Sequence, residues 1–429
     1  MSEEFIYFLW QFQYFHNTDL RTEEGESLRV IHPGYRNPDA GPDFTHARLF
    51  VGEVEWVGTV EAHVRAGDWL LHRHQHDRAY DNVILHIVWE KAALELKRSD
   101  GSVIPTLCLS ERADLSLLQR YETLLAESGP IPCAGQIASV EPLRRTAMLD
   151  KALLQRLERK AAGVMALFQS TDLDWEETTY QLLAAAFGFQ VNTEPFGQLS
   201  RQVPLKILQK HRDTLLQLEA MLFGTAGLLN SEKPDAYESE LQREYRFLAA
   251  KYQLIIKKLP AYAWKWAKLR PANFPTLRLA QFAQLLTFRN SLFSILIETD
   301  DSRILLRHLQ VTPSTYWQTH YRFGKTSDHV LATLGQKAAE NLIINAVVPL
   351  LIAYSHHKDQ PEYRERAIRL LEQLPSEDNR VTRVWQDLNI PVRTAFDSQA
   401  SIELYKNFCQ PKKCLSCQIG VSLLGKSKT

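Results

Sequence analysis

The sequence predicts an α+β protein, with an N-terminal mixed β-sheet and flanking helices followed by a large all-α domain. Two observations carry that reading. Up to about residue 110, short runs rich in Val, Ile, Phe and Thr alternate with Gly, Pro, Asn and Asp turn signals. From about residue 141, Leu, Ala, Lys, Arg, Glu and Gln recur at helical period. At 429 residues the chain exceeds what one hydrophobic core usually organises. Three segments are expected: a sheet domain at 1–130, a helical domain at 131–400 and a cysteine-bearing tail at 401–429.

In order, the first element is a short amphipathic helix from Glu4 to Phe15. SLRVIHPG and then ARLFVGEVEWVGTVEAHV read as strands, and Gly52-Glu53 turns a hairpin inside the second run. The polar stretch AGDWLLHRHQHDRAYDN is helix-compatible and leads into the strand NVILHIVW. A second hairpin is expected around Ser99-Asp100-Gly101, between LELKR and VIPTLCL. The order is thus helix, strand, strand, strand, helix, strand. Beyond it, Arg144 to Phe168 forms one long amphipathic helix, and Asp174 with Glu177 is a capping box opening a helix that Gly188 can close. Further helices fall near 205–228, 237–258, 276–299, 331–354 and 361–374, without the fixed period of a solenoid.

The composition, 45% hydrophobic and 23% charged, is that of a globular chain rather than a disordered one. Fifty basic and fifty acidic residues cancel, so a nucleic-acid surface must come from local clustering. No run of eighteen apolar residues occurs and the N-terminus opens with acids, so a cytoplasmic protein without membrane contact is expected. Five cysteines are too few for a disulfide scaffold.

Chemistry concentrates in the strands. In GTVEAHV, Val60, Ala62 and Val64 share one face, while Thr59, Glu61 and His63 share the other. Asp43 lies in the turn GPDF at the start of the neighbouring strand, where it can approach Glu61. Two carboxylates that close repel unless a hard cation such as Mg²⁺ or Mn²⁺ sits between them. Seven of the fourteen histidines fall between His32 and His86. His72 and His76, four apart, would share a helix face, and His86 sits between Ile84 and Val88 in a strand, where an imidazole needs a partner. Either a supporting role beside Asp43 and Glu61 or a zinc site with Asp77 would account for the histidines; solvent-exposed or core imidazoles are the plainer reading.

Cys409, Cys414 and Cys417 carry a spacing seen in iron–sulfur and zinc sites, and Cys133 is the candidate fourth ligand. Cys108 reads as core. Gly420 to Ser427 matches a phosphate-binding loop in form, but no helix can follow it, so that reading is rejected. Between Lys251 and Arg278, basic residues interleave with Tyr252, Tyr262, Trp264 and Trp266. Lys265, Lys268, Arg270 and Arg278 are the candidate contacts to DNA or RNA there, against the plainer reading of helices with snorkelling lysines.

Pro42-Asp43 followed by Glu61-Ala62-His63, in this element order, resembles the PD-(D/E)xK nuclease superfamily over roughly the first hundred residues. The resemblance implies a restriction-endonuclease-like fold and metal-dependent phosphodiester hydrolysis, with Asp43 and Glu61 as ligands, Glu4 as the acidic residue of the first helix, and His63 where the family has lysine. A lone cysteine with a distant C-terminal trio also resembles the iron-staple nucleases, although their lone cysteine precedes the nuclease motifs and Cys133 follows them. Across nearly its whole length the chain resembles a bacterial family catalogued as a domain of unknown function, through GPDFTHARLF, GTVEAHV, EAMLFGTAGLL, RPANFPTLRLAQ and CLSCQIG. Two functions follow: a metal-dependent nuclease with a helical accessory domain, or a catalytically inactive nuclease-like scaffold that binds nucleic acid or protein around a structural zinc or iron–sulfur site.

Overall fold

The computed structural model describes residues 1–425 except 38, 93, 289–290 and 328–331. It divides into two compact units: Met1–Leu149 with the chain from Leu404 onward, and Asp150–Glu403. The first unit thus runs past residue 130 and takes in the tail.

Helix α1 (Glu3–Phe12) buries Phe5, Ile6, Phe8, Leu9 and Trp10 and stops where Gln13 turns left-handed. A seven-stranded mixed sheet follows. Strands β2 (Ser27–His32), β4 (Phe44–Val51) and β5 (Val54–Arg65) form an antiparallel meander, edged by the two-residue strands β1 (Leu20–Arg21) and β3 (Tyr35–Arg36). Gly52, at φ +59°, turns the expected hairpin between β4 and β5. The chain then crosses through α2 (Asp68–Leu71) and two short 3₁₀ turns to β6 (Val83–Glu90), which runs parallel to β5. Strand β7 (Thr106–Cys108) lies parallel to β6. Strand β6 is paired on both edges and packed on both faces, which is why Val83 to Val88 are all buried.

The second hairpin differs from expectation. Gly101 turns it, but only the bridge Lys97↔Val103 pairs its arms, because Thr106–Cys108 are taken up by β6. Helix α2 is four residues long and exists to dock Trp69, fully buried among Val83, Val88, Leu96, Ile104 and Cys108. Cys108 is core, as its pattern implies.

After α3 (Leu115–Ala126), the 29-residue α4 (Pro142–Ser170) leads into helices. Asp174 caps Trp175–Phe187 through the N–H groups of Glu176 and Glu177. The reciprocal arm of a capping box is missing, since Glu177 instead accepts from the Leu205 N–H. Gly188 ends this helix in right-handed conformation, and a Cβ there would meet the Asn192 backbone at 2.3 Å. The run expected at 205–228 breaks into Leu205–Leu208 and Leu215–Thr225, and that at 276–299 into Pro275–Leu285 and Leu292–Glu298. Gln336–Lys358 is long and apolar enough to cross a membrane, yet 72% of its apolar window is buried inside the protein.

Candidate metal centre

A β-bulge aims the first carboxylate. Phe44 pairs with Val60 and Ala47 with Gly58, so β4 holds one residue more than β5 over this stretch, and His46 absorbs it in left-handed conformation at φ +57°. Gly58 lets β5 approach β6 here: a Cβ would lie 2.5 Å from Ile84 Cγ2 and 2.6 Å from the Asn82 carbonyl oxygen. Asp43 then faces Glu61 across the ladder. The Asp43 N–H donates to Glu61 Oε2 at 3.0 Å, and the Ala62 N–H donates to Asp43 Oδ2 at 3.1 Å. Each carboxylate is pinned by the other's strand. Glu61 is 6% exposed and His63 2%, so the face that alternation leaves polar is enclosed as well.

Arg36 supplies the positive charge, donating from Nη1 to Asp43 Oδ1 at 3.1 Å while its guanidinium lies over the Tyr7 ring. Tyr7 donates to Glu3 Oε2 at 3.4 Å, and the Glu3 charge acts on both Asp43 and Glu61. The acid that α1 brings to the centre is therefore Glu3. Glu4, expected there, is exposed and lies within electrostatic reach of Tyr121, because successive helical residues point about 100° apart.

The second oxygen of Glu61 meets imidazoles. His63 Nε2 and His74 Nε2 lie 3.6 and 3.5 Å from Glu61 Oε1. The ligand atoms of His63, His72 and His74 all fall within 4.8 Å of one another. The His72–His76 pair expected on one helix face is not brought together. Helix α2 ends at Leu71, Arg73 turns left-handed at φ +61°, and the turn sends His74 inward while His76 stays exposed. Asp77 caps the following 3₁₀ turn, and Asp43 and Glu61 carry the acidic side of the site. His86 Nε2 lies 2.9 Å from His63 Nδ1, and His63 Nε2 lies 3.1 Å from His72 Nδ1. With metal on His63 Nε2, the Nδ1–H would donate to His86, the supporting bond that metal-bound histidines usually make. His74 Nε2 is buried without a hydrogen-bond partner, as a ligand atom would be.

Burial, with repulsion from Asp43, pushes the Glu61 carboxyl up to about 8; burial raises Asp43 too, against the pull of Arg36. Burial and neighbouring imidazoles push His63 down to about 3 and His74 down to about 4. Two crowded carboxylates beside neutral imidazoles suit a cation accepting mixed oxygen and nitrogen ligands, such as Mn²⁺ or Zn²⁺.

Elsewhere in the first unit, Cys133, Cys414 and Cys417 are buried and Cys409 is half-buried. Burial raises Cys133 to about 12 and lifts Cys409 further, and each feels the thiols of the tail: Cys133 those of Cys414 and Cys417, Cys409 those of all three others. Residues 408–417 curl tightly, the Lys413 N–H donating to the Phe408 carbonyl and the Cys417 N–H to that of Cys414. Gly420 lets the helix Gln418–Leu424 press on this turn, since a Cβ would lie 2.2 Å from the Cys414 oxygen. That helix precedes Gly425, and Lys426 and Ser427 of the rejected phosphate loop lie outside the described residues.

In the second unit, Lys265, Lys268 and Arg270 are exposed, with Trp264 buried behind them and donating to the Ala226 carbonyl. Arg278 is different. It is 7% exposed, because the first turn of Pro275–Leu285 points inward, so it does not belong to that open basic stretch.

Residues 3–380 match the model of a family described as a protein of unknown function (DUF2851). No curated protein and no solved structure matches the chain.

Proposed function

We propose that this chain, which belongs to the family of proteins of unknown function just described, is a metal-dependent phosphodiesterase acting on nucleic acid and built on a restriction-endonuclease-like fold. One observation carries the reading. The two oxygens of Glu61 are divided between Asp43, at the start of the preceding strand, and the imidazoles of His63 and His74.

Asp43, Glu61, His63 and His74 would hold the ion, and a divalent cation there would supply charge for the phosphate and make a water easier to deprotonate. His63 occupies the position of the family's lysine, but a buried imidazole with so low a pKa is a poor base and a good ligand. The proton lost by the attacking water goes to the exposed His72, in contact with His63 at 3.1 Å. The water oxygen bonds to phosphorus, the ester bond breaks, and the leaving oxygen takes a proton from solvent. Arg36 offsets negative charge on the Asp43 side. Lys265, Lys268 and Arg270 offer phosphate contacts.

The test is cleavage of labelled single- and double-stranded DNA and RNA with Mn²⁺. Cleavage by wild type that EDTA and Asp43→Asn both abolish supports the reading. Binding without cleavage, equal in wild type and variant, makes the protein a scaffold and ends the enzymatic proposal.

We further propose that Cys133, Cys409, Cys414 and Cys417 ligate a shared metal centre, a four-iron cluster or one zinc ion. Their burial and electrostatic reach of one another support a shared site, and metal analysis decides between iron and zinc. Protein purified without oxygen that absorbs at about 400 nm and carries about four iron and four sulfide per chain holds the cluster; stoichiometric zinc without iron makes it a zinc site. Cys414→Ser should lose the metal and Cys108→Ser keep it; no metal at all in wild type would rule the centre out.

A further inference from the structure

The second unit contains a cavity that the hydrolytic reading does not use, lined by Arg278, Lys337, Asn192, Asn273 and Asn341 with phenylalanines behind them. Its charge is one-sided: among the described residues no carboxylate lines it. Arg278 donates to neutral partners, from Nη1 to Gln281 Oε1 at 2.9 Å and from Nη2 to Asn273 Oδ1 at 2.6 Å. Its Nε is buried without a hydrogen-bond partner, and burial alone lowers its pKa, to about 10. Enclosing a guanidinium without an anion is costly, so most proteins pair such a group.

Two helix N-termini meet the same cavity. Pro275–Leu285 contributes Pro275 and Arg278 from its first turn, and the long helix Gln336–Lys358 contributes Lys337 and Ala338 from its own. Neither start is capped by a side chain. Uncapped first turns present the positive end of the helix dipole, although Pro275 carries no N–H and the N–H groups of Arg278 and Ala338 already donate to the Phe274 and Gly335 carbonyls. Phe189, itself left-handed at φ +43°, lays its ring against the Arg278 guanidinium at 4.3 Å, so the fork is held flat at the cavity wall.

We infer that this cavity binds a nucleotide phosphate, with Arg278 and Lys337 on the phosphate oxygens, the asparagines as neutral donors and the phenylalanine wall against the base or sugar. A guanidinium fork matches two phosphate oxygens, and the free Nε–H is the donor still lacking an acceptor. The inference does not rest on the metal centre, and an inactive scaffold could bind the same group.

The experiment is calorimetric titration of the full chain with inorganic phosphate, adenosine monophosphate, and one oligonucleotide with and without a 5′-phosphate. The expected result is binding of phosphate-bearing probes and at least about tenfold weaker binding of the unphosphorylated strand. Binding of the mononucleotide identifies a free nucleotide as occupant; binding of the phosphorylated strand without the mononucleotide identifies a strand end. Arg278→Gln should weaken binding about a hundredfold and Arg278→Lys about tenfold, because lysine keeps the charge and loses the fork. Lys337→Gln, at an exposed position whose loss leaves the unit folded, should also weaken it about tenfold. The inference is overturned if no phosphate-bearing probe binds wild type, or if folded Arg278→Gln and Lys337→Gln both bind as wild type does.

Discussion

Glu61→Gln should abolish Mn²⁺-dependent cleavage, by about a thousandfold or more, while making the metal-free protein more stable. Both effects have one cause. Burial and the Asp43 charge push the folded-state pKa of Glu61 from 4.5 up to about 8, so the folded chain keeps a proton that the unfolded chain has released. The contribution of Glu61 to stability is fully present below about pH 4.5 and is lost as pH climbs to about 8, a change of a few kcal/mol. Urea denaturation in EDTA at pH 7 and pH 8, above the range in which unfolding lets His63 and His74 take up protons, should show wild type weaker at the higher pH and Glu61→Gln nearly level between them. Adding Mn²⁺ should remove the wild-type difference, because the ion replaces the proton. Identical pH slopes for wild type and variant would mean that Glu61 is neither buried nor crowded as described.

The second large effect belongs to a residue with no chemistry of its own. Gly58→Ala should cost about 2–4 kcal/mol and disrupt the centre together with the fold. The added Cβ would stand 2.6 Å from the Asn82 carbonyl oxygen, and backbone cannot step aside as a flexible side chain can. Strands β5 and β6 must then separate where Glu61 pairs with His86 and where His63 reaches His86 Nε2. Chemical denaturation and Mn²⁺ titration of the same preparation check this; wild-type stability with wild-type affinity would show that the strands have slack.

What the sequence reveals of this centre follows how locally each contact is encoded. Asp43 and Glu61 are legible because strand period and a two-residue turn fix which residues face across a hairpin. Glu3 is missed by one position, since a helix start does not reveal its own phase. His74 is missed because the left-handed Arg73 is an αL residue without a glycine to announce it. Arg278 reads as an open cation in a basic stretch, and only the packing of its helix shows it turned inward.

The return of the chain to its first unit sets a timetable. Residues 150–403 must be made before the ribosome releases the segment that completes the sheet-bearing unit. At roughly 5–20 residues per second, that insertion occupies between about ten seconds and a minute of synthesis. Throughout the interval Cys133 waits without the three thiols of the tail, so any site that the four share would be completed only at the end of synthesis.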